Sequence, residues 1–343
     1  MGQAALRVRA GGLSRNPRGG AALLVYLLST GIWTAPQAFG APPEPSPIAR
    51  PHLVSSAFQP RAGRRQAPAN SGEQESAPKT FVDMSPADLA RTIPELKRLE
   101  SAKNQDLLPQ ILKRAGDEVA AFFDDFQNTT STEEVTSMVD SGFKAGDFHS
   151  YAKYNYVALA EAGGEKDRLR EFRADDKGAP VKPDPGRSVV TVGFISMMEH
   201  LHPDFQPDSR FLYLGREEME DANTYVVAFA QRPSVARRVT RIQFLGQDEI
   251  AFWQGIVWID PVTFRIRRLR SDVQVPPKHV GMLRATTEIL YSEVSFQQGG
   301  TKLWLPREVT VTGQLNQYRY RNLHRYSDYR LFKVAVDEKR QSP

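Results

Sequence analysis

One short stretch, MEHLHPD, carries the side chains best suited to hold a metal ion. It contains Glu199, His200 and His202, and carboxylate and imidazole groups both bind Zn²⁺. Two histidines at i and i+2 face the same way on a strand but lie about 200° apart on a helix. Further ligands would have to come from His149, His279 or His324. A metal-dependent hydrolase is therefore one hypothesis, and a chance cluster in a loop is the alternative.

Other catalytic signatures are missing from the sequence. It contains no G-x-S-x-G, no P-loop, no G-x-G-x-x-G and no H-E-x-x-H. The absence of cysteine excludes a thiol nucleophile and a sulfur-ligated zinc site. Adjacent carboxylates occur at Asp124-Asp125, Glu133-Glu134 and Glu217-Glu218. Such neighbours are more typical of a solvated surface than of an acid–base pair with separated pKa values, so we expect a protein that is not an enzyme and needs no cofactor.

The last part of the chain interleaves tyrosine with arginine, in QYRYRNLHRYSDYRLF. Aromatic stacking combined with arginine is one way of binding single-stranded nucleic acid. Cross-strand Tyr–Arg pairs on a half-exposed sheet would give the same pattern. Because the chain begins with a basic leader typical of export, we favour the sheet and expect no nucleic-acid partner.

Large apolar side chains in the second half of the chain could line a ligand cavity. We assign this role to Phe194, Met198, Trp253 and Trp258, because pockets for apolar ligands are lined by such groups. Basic Arg267 and Arg270 would then meet an acidic head group at the rim. The alternative is an ordinary core that is completely filled, since a sequence does not reveal a void.

The stretch WQGIVWIDPVTFRIRRLRSD predicts a β-hairpin, with Asp260-Pro261 in a type I-like turn. Strict alternation in the returning strand would place Phe264 and Ile266 on one face with Arg268 and Arg270. Neither face would then be cleanly apolar, so Arg267-Arg268 is predicted to mark a β-bulge or the strand's exit from the core. We expect these arginines to lie at the rim and to pair with the acidic helices of the same chain.

The first 40 residues resemble a secretory signal peptide. Four arginines precede the 13-residue apolar run AALLVYLLSTGIW, which is too short to span a bilayer. The formal net charge is +5, and subtracting those four arginines leaves +1 for residues 41–343. We therefore expect an exported, periplasmic or extracellular protein with no transmembrane segment after signal removal.

Residues 41–80 are rich in Pro, Ala and Ser and predict a disordered linker. Residues 81–150 are predicted to be helical. A first helix would begin at Ser85-Pro86 and kink at Pro94, and a second would begin near Asp106 with an apolar stripe that includes Phe122 and Phe126. Ser131 and Glu134 form a capping-box pattern that predicts a third helix to Asp140.

After Tyr151 the hydrophobic period approaches two, and nine to eleven short strands are predicted to form a meander over 151–336 before a tail at 337–343. Residues 192–202 predict one short helix. The connections between consecutive strands are short and contain no helices, which implies antiparallel pairing. A sheet of this size must curl. The predicted fold class is α+β, with N-terminal helices packed in one domain on a large curved antiparallel sheet, a half-barrel.

The WIDP-x-T hairpin, Trp258 to Thr263, resembles the LolA-like outer-membrane lipoprotein-sorting superfamily, which includes RseB-type sensor domains. The resemblance covers about 191–335 and implies a half-barrel around a hydrophobic cavity that binds lipid or lipid-modified protein. The phrases WLPREV and HRYSDYRLF also resemble an uncharacterised group of exported acidobacterial proteins, which implies no function. The acidic helical region and the linker depart from the superfamily pattern.

We therefore expect an exported protein that binds a lipid or other hydrophobic ligand between sheet and helices, with a lipoprotein or another envelope protein as a further partner. The alternative is an envelope sensor or protein–protein interaction module with a filled core.

Overall fold

A computed structural model describes eleven stretches of the chain: 25–29, 79–140, 148–160, 169–175, 177–181, 192–220, 222–236, 240–244, 247–277, 281–296 and 300–332. The predicted linker up to residue 78, the tail and most of the predicted leader lie outside them. Within the leader, Val25–Ser29 form strand β1. No helix in the described stretches is both long enough and apolar enough to span a bilayer.

Two α-helices precede most of the sheet: α1 at Pro86–Thr92 and α2 at Leu108–Asp124. The Ser85 Oγ accepts a hydrogen bond from the backbone N–H of Asp88 at 3.1 Å, as an N-cap should. The kink expected at Pro94 is a complete break, because α1 ends at Thr92. Short 3₁₀ helices occupy Phe81–Asp83, Pro94–Leu96, Ser196–Leu201 and Gln206–Asp208.

Thirteen further strands follow: β2 Glu100–Ser101, β3 Thr129–Asp140, β4 Phe148–Ala160, β5 Leu169–Ala174, β6 Ser209–Met219, β7 Ala222–Gln231, β8 Thr240–Phe244, β9 Gln247–Ala251, β10 Trp253–Ile259, β11 Ile266–Val273, β12 Met282–Ser295, β13 Lys302–Leu315 and β14 Tyr318–Leu331. Eleven of them form one antiparallel sheet in the order β2-β6-β7-β10-β11-β12-β13-β14-β3-β4-β5. The remaining two, β8 and β9, form a small sheet with β1, in the order β1-β8-β9. The predicted large antiparallel sheet is confirmed.

The predicted third helix is wrong, since residues 129–140 form β3 inside the large sheet. Helical structure in the predicted 81–150 region therefore ends with α2. The capping-box pattern was misleading because every second side chain from Thr129 to Ser137 is buried, which is the period of a strand. The stretch is also rich in threonine, a β-branched residue that favours sheets.

The large sheet curls around the segment that contains the 3₁₀ helix Ser196–Leu201. Phe194 stacks on Tyr156 of β4 with ring centroids 6.3 Å apart, and His200 lies 4.8 Å from the ring of Phe229 in β7. Strands β4 and β7 are seven inter-strand spacings apart in the sheet order, which is about 34 Å in a flat sheet. Six residues at a 3₁₀ rise span only about 12 Å. The sheet must therefore bend so that β4 and β7 face each other across this segment.

The two faces of the sheet are covered by different elements. Helix α2 and residues 194–201 pack on the inner face, in a cluster that includes Val119, Phe123 and Trp253. The N-terminal segment packs on the outer face, where Leu89 and Ile93 join Trp258. Helix α2 thus fills the inner face as its apolar stripe predicted.

The bulge predicted in the hairpin is confirmed. Trp258 pairs with Arg268, whereas the next residue, Ile259, pairs with Ile266, so Arg267 is the extra residue. The predicted face assignment beyond it is wrong, because the bulge shifts the alternation by one position. Ile266 and Leu269 are both buried in the inner cluster, and Arg268 lies over the Trp258 ring on the outer face.

Candidate functional site

A cavity of about 150 Å³ opens between the C-terminal half of α2 and the inner face of the sheet. Its apolar lining comes from four elements: α2, the 3₁₀ segment, and the first residues of β11 and β13. The apolar lining residues are Val119, Ala121, Phe122, Met198, Ile266, Leu303 and Trp304. The geometry is that of a small apolar binding site whose wall is one face of a helix.

Four charged residues also line this cavity: Glu118, Asp125, Arg265 and Lys302. The guanidinium of Arg265 lies 3.5 Å from the carboxylate of Glu118. The ammonium of Lys302 lies 2.7 Å from the carboxylate of Glu293, and the side chains of both pairs are between one third and two thirds exposed. The cavity therefore combines an apolar floor with a charged, hydrated mouth.

Helix α2 is held against the 3₁₀ segment by a close backbone approach. A β-carbon at Gly116 would lie 3.1 Å from the carbonyl oxygen of Leu201, so glycine permits this contact. The Gln206 Nε2 donates hydrogen bonds to the carbonyl oxygens of Leu112 in α2 and of Leu201, each at 2.8 Å. The Gln206 side chain therefore joins α2, which forms the wall of the cavity, to the 3₁₀ segment.

The structure does not bring the four predicted lining residues together. Met198 lines the cavity. Phe194 and Trp253 are buried elsewhere in the same inner cluster. Trp258 belongs to the outer cluster, where its Nε1 donates to the Glu217 carboxylate at 2.7 Å. Trp253 and Trp258 are five residues apart on one strand, and an odd spacing places them on opposite faces.

The two predicted rim arginines lie away from the cavity lining and contact carboxylates of this chain. Arg267 is within 3.4 Å of Asp260. Arg270 is on the outer face, where it lies 2.9 Å from Asp272 and 3.1 Å from Glu288. Intramolecular pairing is thus confirmed, but these closest partners lie in the hairpin turn and on strands, not in the acidic helices as predicted. The basic residues at the cavity mouth are Arg265 and Lys302, which the sequence did not single out for this role.

The predicted metal ligands do not assemble into a site. Within the described stretches, no group of three His, Asp or Glu side chains is placed to hold a metal ion. Desolvation lowers the pKa of His200 to about 4, and its ring packs on Phe229. His202 lies near the ring of Phe123, and Glu199 is buried. His324 lies in a different buried cluster, His149 is exposed, and His279 is outside the described residues.

A buried polar cluster that the sequence did not indicate lies on β3, β5 and β14. The Glu133 carboxylate accepts from Arg173 Nε at 2.5 Å and Nη2 at 2.6 Å. The Tyr326 hydroxyl donates to the same carboxylate at 2.8 Å, and His324 Nδ1 lies 2.8 Å from it. Since a carboxylate only accepts, Nδ1 of His324 carries the proton. No hydrophobic pattern in the sequence could have revealed it, because four of the five side chains that β3 buries at every second position are polar.

Electrostatics keep this cluster charged inside the core. Burial alone would raise the pKa of Glu133, but the charge of Arg173 and the hydrogen bond from His324 outweigh it and lower that pKa to about 2. Desolvation lowers the pKa of His324, so its imidazole is neutral at pH 7. The cluster is a bidentate ion pair with two neutral hydrogen-bond donors, and it ties three strands together.

No protein-family model matches the chain, and a search of curated proteins gave no match. Solved structures to which the fold is similar include an outer membrane lipoprotein-sorting protein domain from Vibrio parahaemolyticus, at 11% identity and a TM-score of 0.35 over 66% of this chain and 94% of that one. A DUF1329 family protein from Desulfovibrio piger is 12% identical, with a TM-score of 0.35 over 68% and 96% of the two chains. A LolA superfamily protein from Nitrosomonas europaea is 14% identical, with a TM-score of 0.31 over 66% and 94%.

The superfamily that the WIDP-x-T hairpin resembles is thus also found among these structures.

A second carboxylate fixes the segment that contributes Met198 to the cavity. Glu171 of β5 accepts hydrogen bonds from the backbone N–H groups of Ile195 and Ser196 at 3.0 and 2.8 Å. It also accepts from the hydroxyls of Ser196 and Tyr156, each at 2.6 Å. These bonds order the segment across the inner face, and so they set the position of the cavity floor.

Proposed function

We propose that this protein binds a lipid or another hydrophobic ligand, without catalysing a reaction, in the cavity between α2 and the inner face of the sheet. The observation that carries the proposal is the cavity's composition, with an apolar floor under a charged mouth. Such a site gains affinity by removing apolar ligand surface from water, at about 25 cal/mol per Å². The polar end of the ligand remains at the mouth.

The volume limits how much of a ligand can enter. An apolar cavity of about 150 Å³ holds a molecule of the size of benzene, which corresponds to roughly six carbon atoms. The site as described thus accommodates one end of an acyl chain, carried either by a lipid or by a lipid-modified protein. A longer insertion requires α2 to move away from the sheet.

The location that fits this function is the cell envelope, outside the cytoplasm. The support is the predicted signal peptide, with its arginine-rich start and short apolar run. An exported binding protein would meet lipids or lipoproteins there, and these are the partners that we propose.

The test is binding of a neutral fluorescent apolar probe, with native mass spectrometry of the purified protein for co-purified lipid. We expect saturable binding that Ala121→Trp weakens at least about tenfold, because Ala121 lines the cavity on an exposed turn of α2, where a bulky ring covers the mouth. The control is Asp117→Trp, which adds the same ring on the same helix at an exposed position outside the lining. Equal weakening by both variants, or no saturable binding by the wild type, would refute the proposal.

An envelope sensor or protein–protein interaction module is the second candidate. The observation in its favour is that most of the inner face is packed: Phe194 and Trp253 are each exposed by 1% or less. Under this function, the purified protein would carry no lipid and Ala121→Trp would leave its activity unchanged, whereas an envelope protein would be captured from extract.

A further inference from the structure

The cavity mouth carries more negative than positive charge. The count covers the charged residues that line the cavity and Glu293, which pairs with two of them. Glu118, Asp125 and Glu293 are acidic, whereas Arg265 and Lys302 are basic. The hydrogen bond from Lys302 lowers the pKa of Glu293, so this carboxylate is ionised at pH 7. These five groups together carry one net negative charge.

The backbone of α2 adds to this negative potential. The helix ends at Asp124 with Asp125 as its C-cap, and its last turn contains no basic residue. A helix C-terminus carries about half a negative elementary charge, and acidic side chains there are unfavourable for the helix itself. Two carboxylates thus stand at the end of the helix where cations are normally preferred, beside the mouth of an apolar cavity.

Another cation on α2 lies too far away to neutralise this end. The Arg114 guanidinium is 3.8 Å from the centroid of the Phe264 ring. Asp125 follows Arg114 by eleven residues, which is about 16 Å along a helix. This exceeds the Debye length of about 8 Å at physiological ionic strength. Both cations of the lining already contact carboxylates: Arg265 lies between Glu118 and Glu293, and Lys302 pairs with Glu293.

We infer that the cavity selects apolar ligands with a positively charged head group and discriminates against carboxylates. This inference rests on the proposed function, because it concerns the same cavity. It reverses the expectation of an acidic head group held by Arg267 and Arg270. The ligand class is a cationic amphiphile, namely an alkyl chain with an amine at the end that stays in the mouth.

The experiment compares octylamine, octanol and octanoate as competitors of the neutral fluorescent probe at pH 7.5 and low salt. Each has eight carbon atoms, but octanoate uses one of them in its carboxylate, so its affinity is first corrected for the missing methylene group, about fourfold. The difference that remains reports the head group. We expect octylamine to bind most tightly and octanoate most weakly, with octanol between them. At a helix C-terminus, a negative head group is disfavoured and a positive one is favoured by a similar free energy. The two ligands should therefore differ by twice that effect, which corresponds to about a three- to thirtyfold difference in affinity.

Variants of the acidic residues at the mouth test whether their charges cause the head-group selectivity. In the double variant Glu118→Gln with Asp125→Asn, the remaining charged groups at the mouth carry a net charge of +1, so the octylamine-to-octanoate ratio should fall to one or below. Asp117→Asn is the matched control, because Asp117 pairs with Lys113 on an exposed part of α2 outside the lining, and it should keep the wild-type ratio. Octanoate binding as tightly as octylamine, or Asp117→Asn abolishing the ratio, would overturn this inference but leave hydrophobic binding in place. Failure of all three ligands to displace the probe would refute the proposed function as well.

Discussion

At the scale of single residues, the Glu133–Arg173 ion pair is the contact whose loss should cost most. Both side chains are almost completely buried, at 0% and 3% exposed. Arg173→Met removes the cation and leaves a desolvated carboxylate, which typically costs about 3–5 kcal/mol. We expect a loss of this size in the free energy of unfolding, measured by urea denaturation.

The double variant Glu133→Met with Arg173→Met is the matched control. It removes both charges together, and apolar replacement of a complete buried pair is often close to neutral. Most of the stability lost in Arg173→Met should therefore be recovered. A double variant that is as unstable as the sum of the two single variants would show that the pair does not act as a unit.

The sequence could identify which residues are buried but not which of them share a site. Phe194, Met198, Trp253 and Trp258 are all buried, as their size and apolarity suggest. Only Met198 lines the cavity, because strand register and the path of residues 192–202 decide which buried side chains reach it. Neither is encoded in composition. Charge pairing was easier to predict, since a net charge of +1 over residues 41–343 leaves few arginines for external partners.

At the scale of elements, α2 acts as a wall whose position should set the length of ligand that fits. Each methylene group that enters the cavity contributes about 0.8 kcal/mol, or roughly fourfold in affinity. In a series of linear alcohols we expect this gain up to about six carbons, where the cavity is full, and a smaller gain beyond. Gln206→Ala removes two hydrogen bonds that hold α2 and the 3₁₀ segment together, and it should extend the steep part of the series to longer chains.

Gln274→Ala provides the control for that experiment. Its Nε2 also donates to two backbone carbonyls, those of Gln231 and Trp253, at 2.8 and 2.9 Å. These bonds lie at the far end of β10 and β11 from the cavity. The two variants lose the same kind of contact, but only Gln206→Ala loses it beside the cavity. Only this variant should therefore alter the chain-length profile measured by probe displacement. The same change in both variants would show that general loosening, not α2, controls the cavity.

Element types were predicted well where the hydrophobic period was unambiguous. The apolar stripe of α2 and the alternating strands after Tyr151 both proved correct. Residues 129–140 were mistaken for a helix because Ser131 and Glu134 have capping-box spacing while the strand buries polar groups. Glu133 at the centre of β3 is fully buried, and a buried carboxylate gives no hydrophobic signal. Its partner Arg173 is distant in sequence, so only tertiary structure explains it.

At the scale of the whole molecule, one sheet separates two packed layers with different roles. The inner layer contains α2 and the cavity. The outer layer is the N-terminal segment, anchored by Leu89, Ile93 and Leu96 and by contacts of Glu95 with Arg268 and Arg270. Both layers contribute to stability because they bury opposite faces of the same strands, but only the inner layer lines the proposed binding cavity.

This separation predicts different consequences for two core truncations. Leu89→Ala and Met198→Ala each remove a buried side chain, at 0% and 3% exposed, and each should lower the free energy of unfolding by about 2–5 kcal/mol. Leu89→Ala should leave the affinity for octanol unchanged, since the residue packs on the outer face. Met198→Ala enlarges the cavity floor and should strengthen binding of longer alcohols, which would in turn restore part of its lost stability. Denaturation with and without octanol measures both effects, and equal rescue of the two variants would contradict the division of the molecule into a supporting face and a binding face.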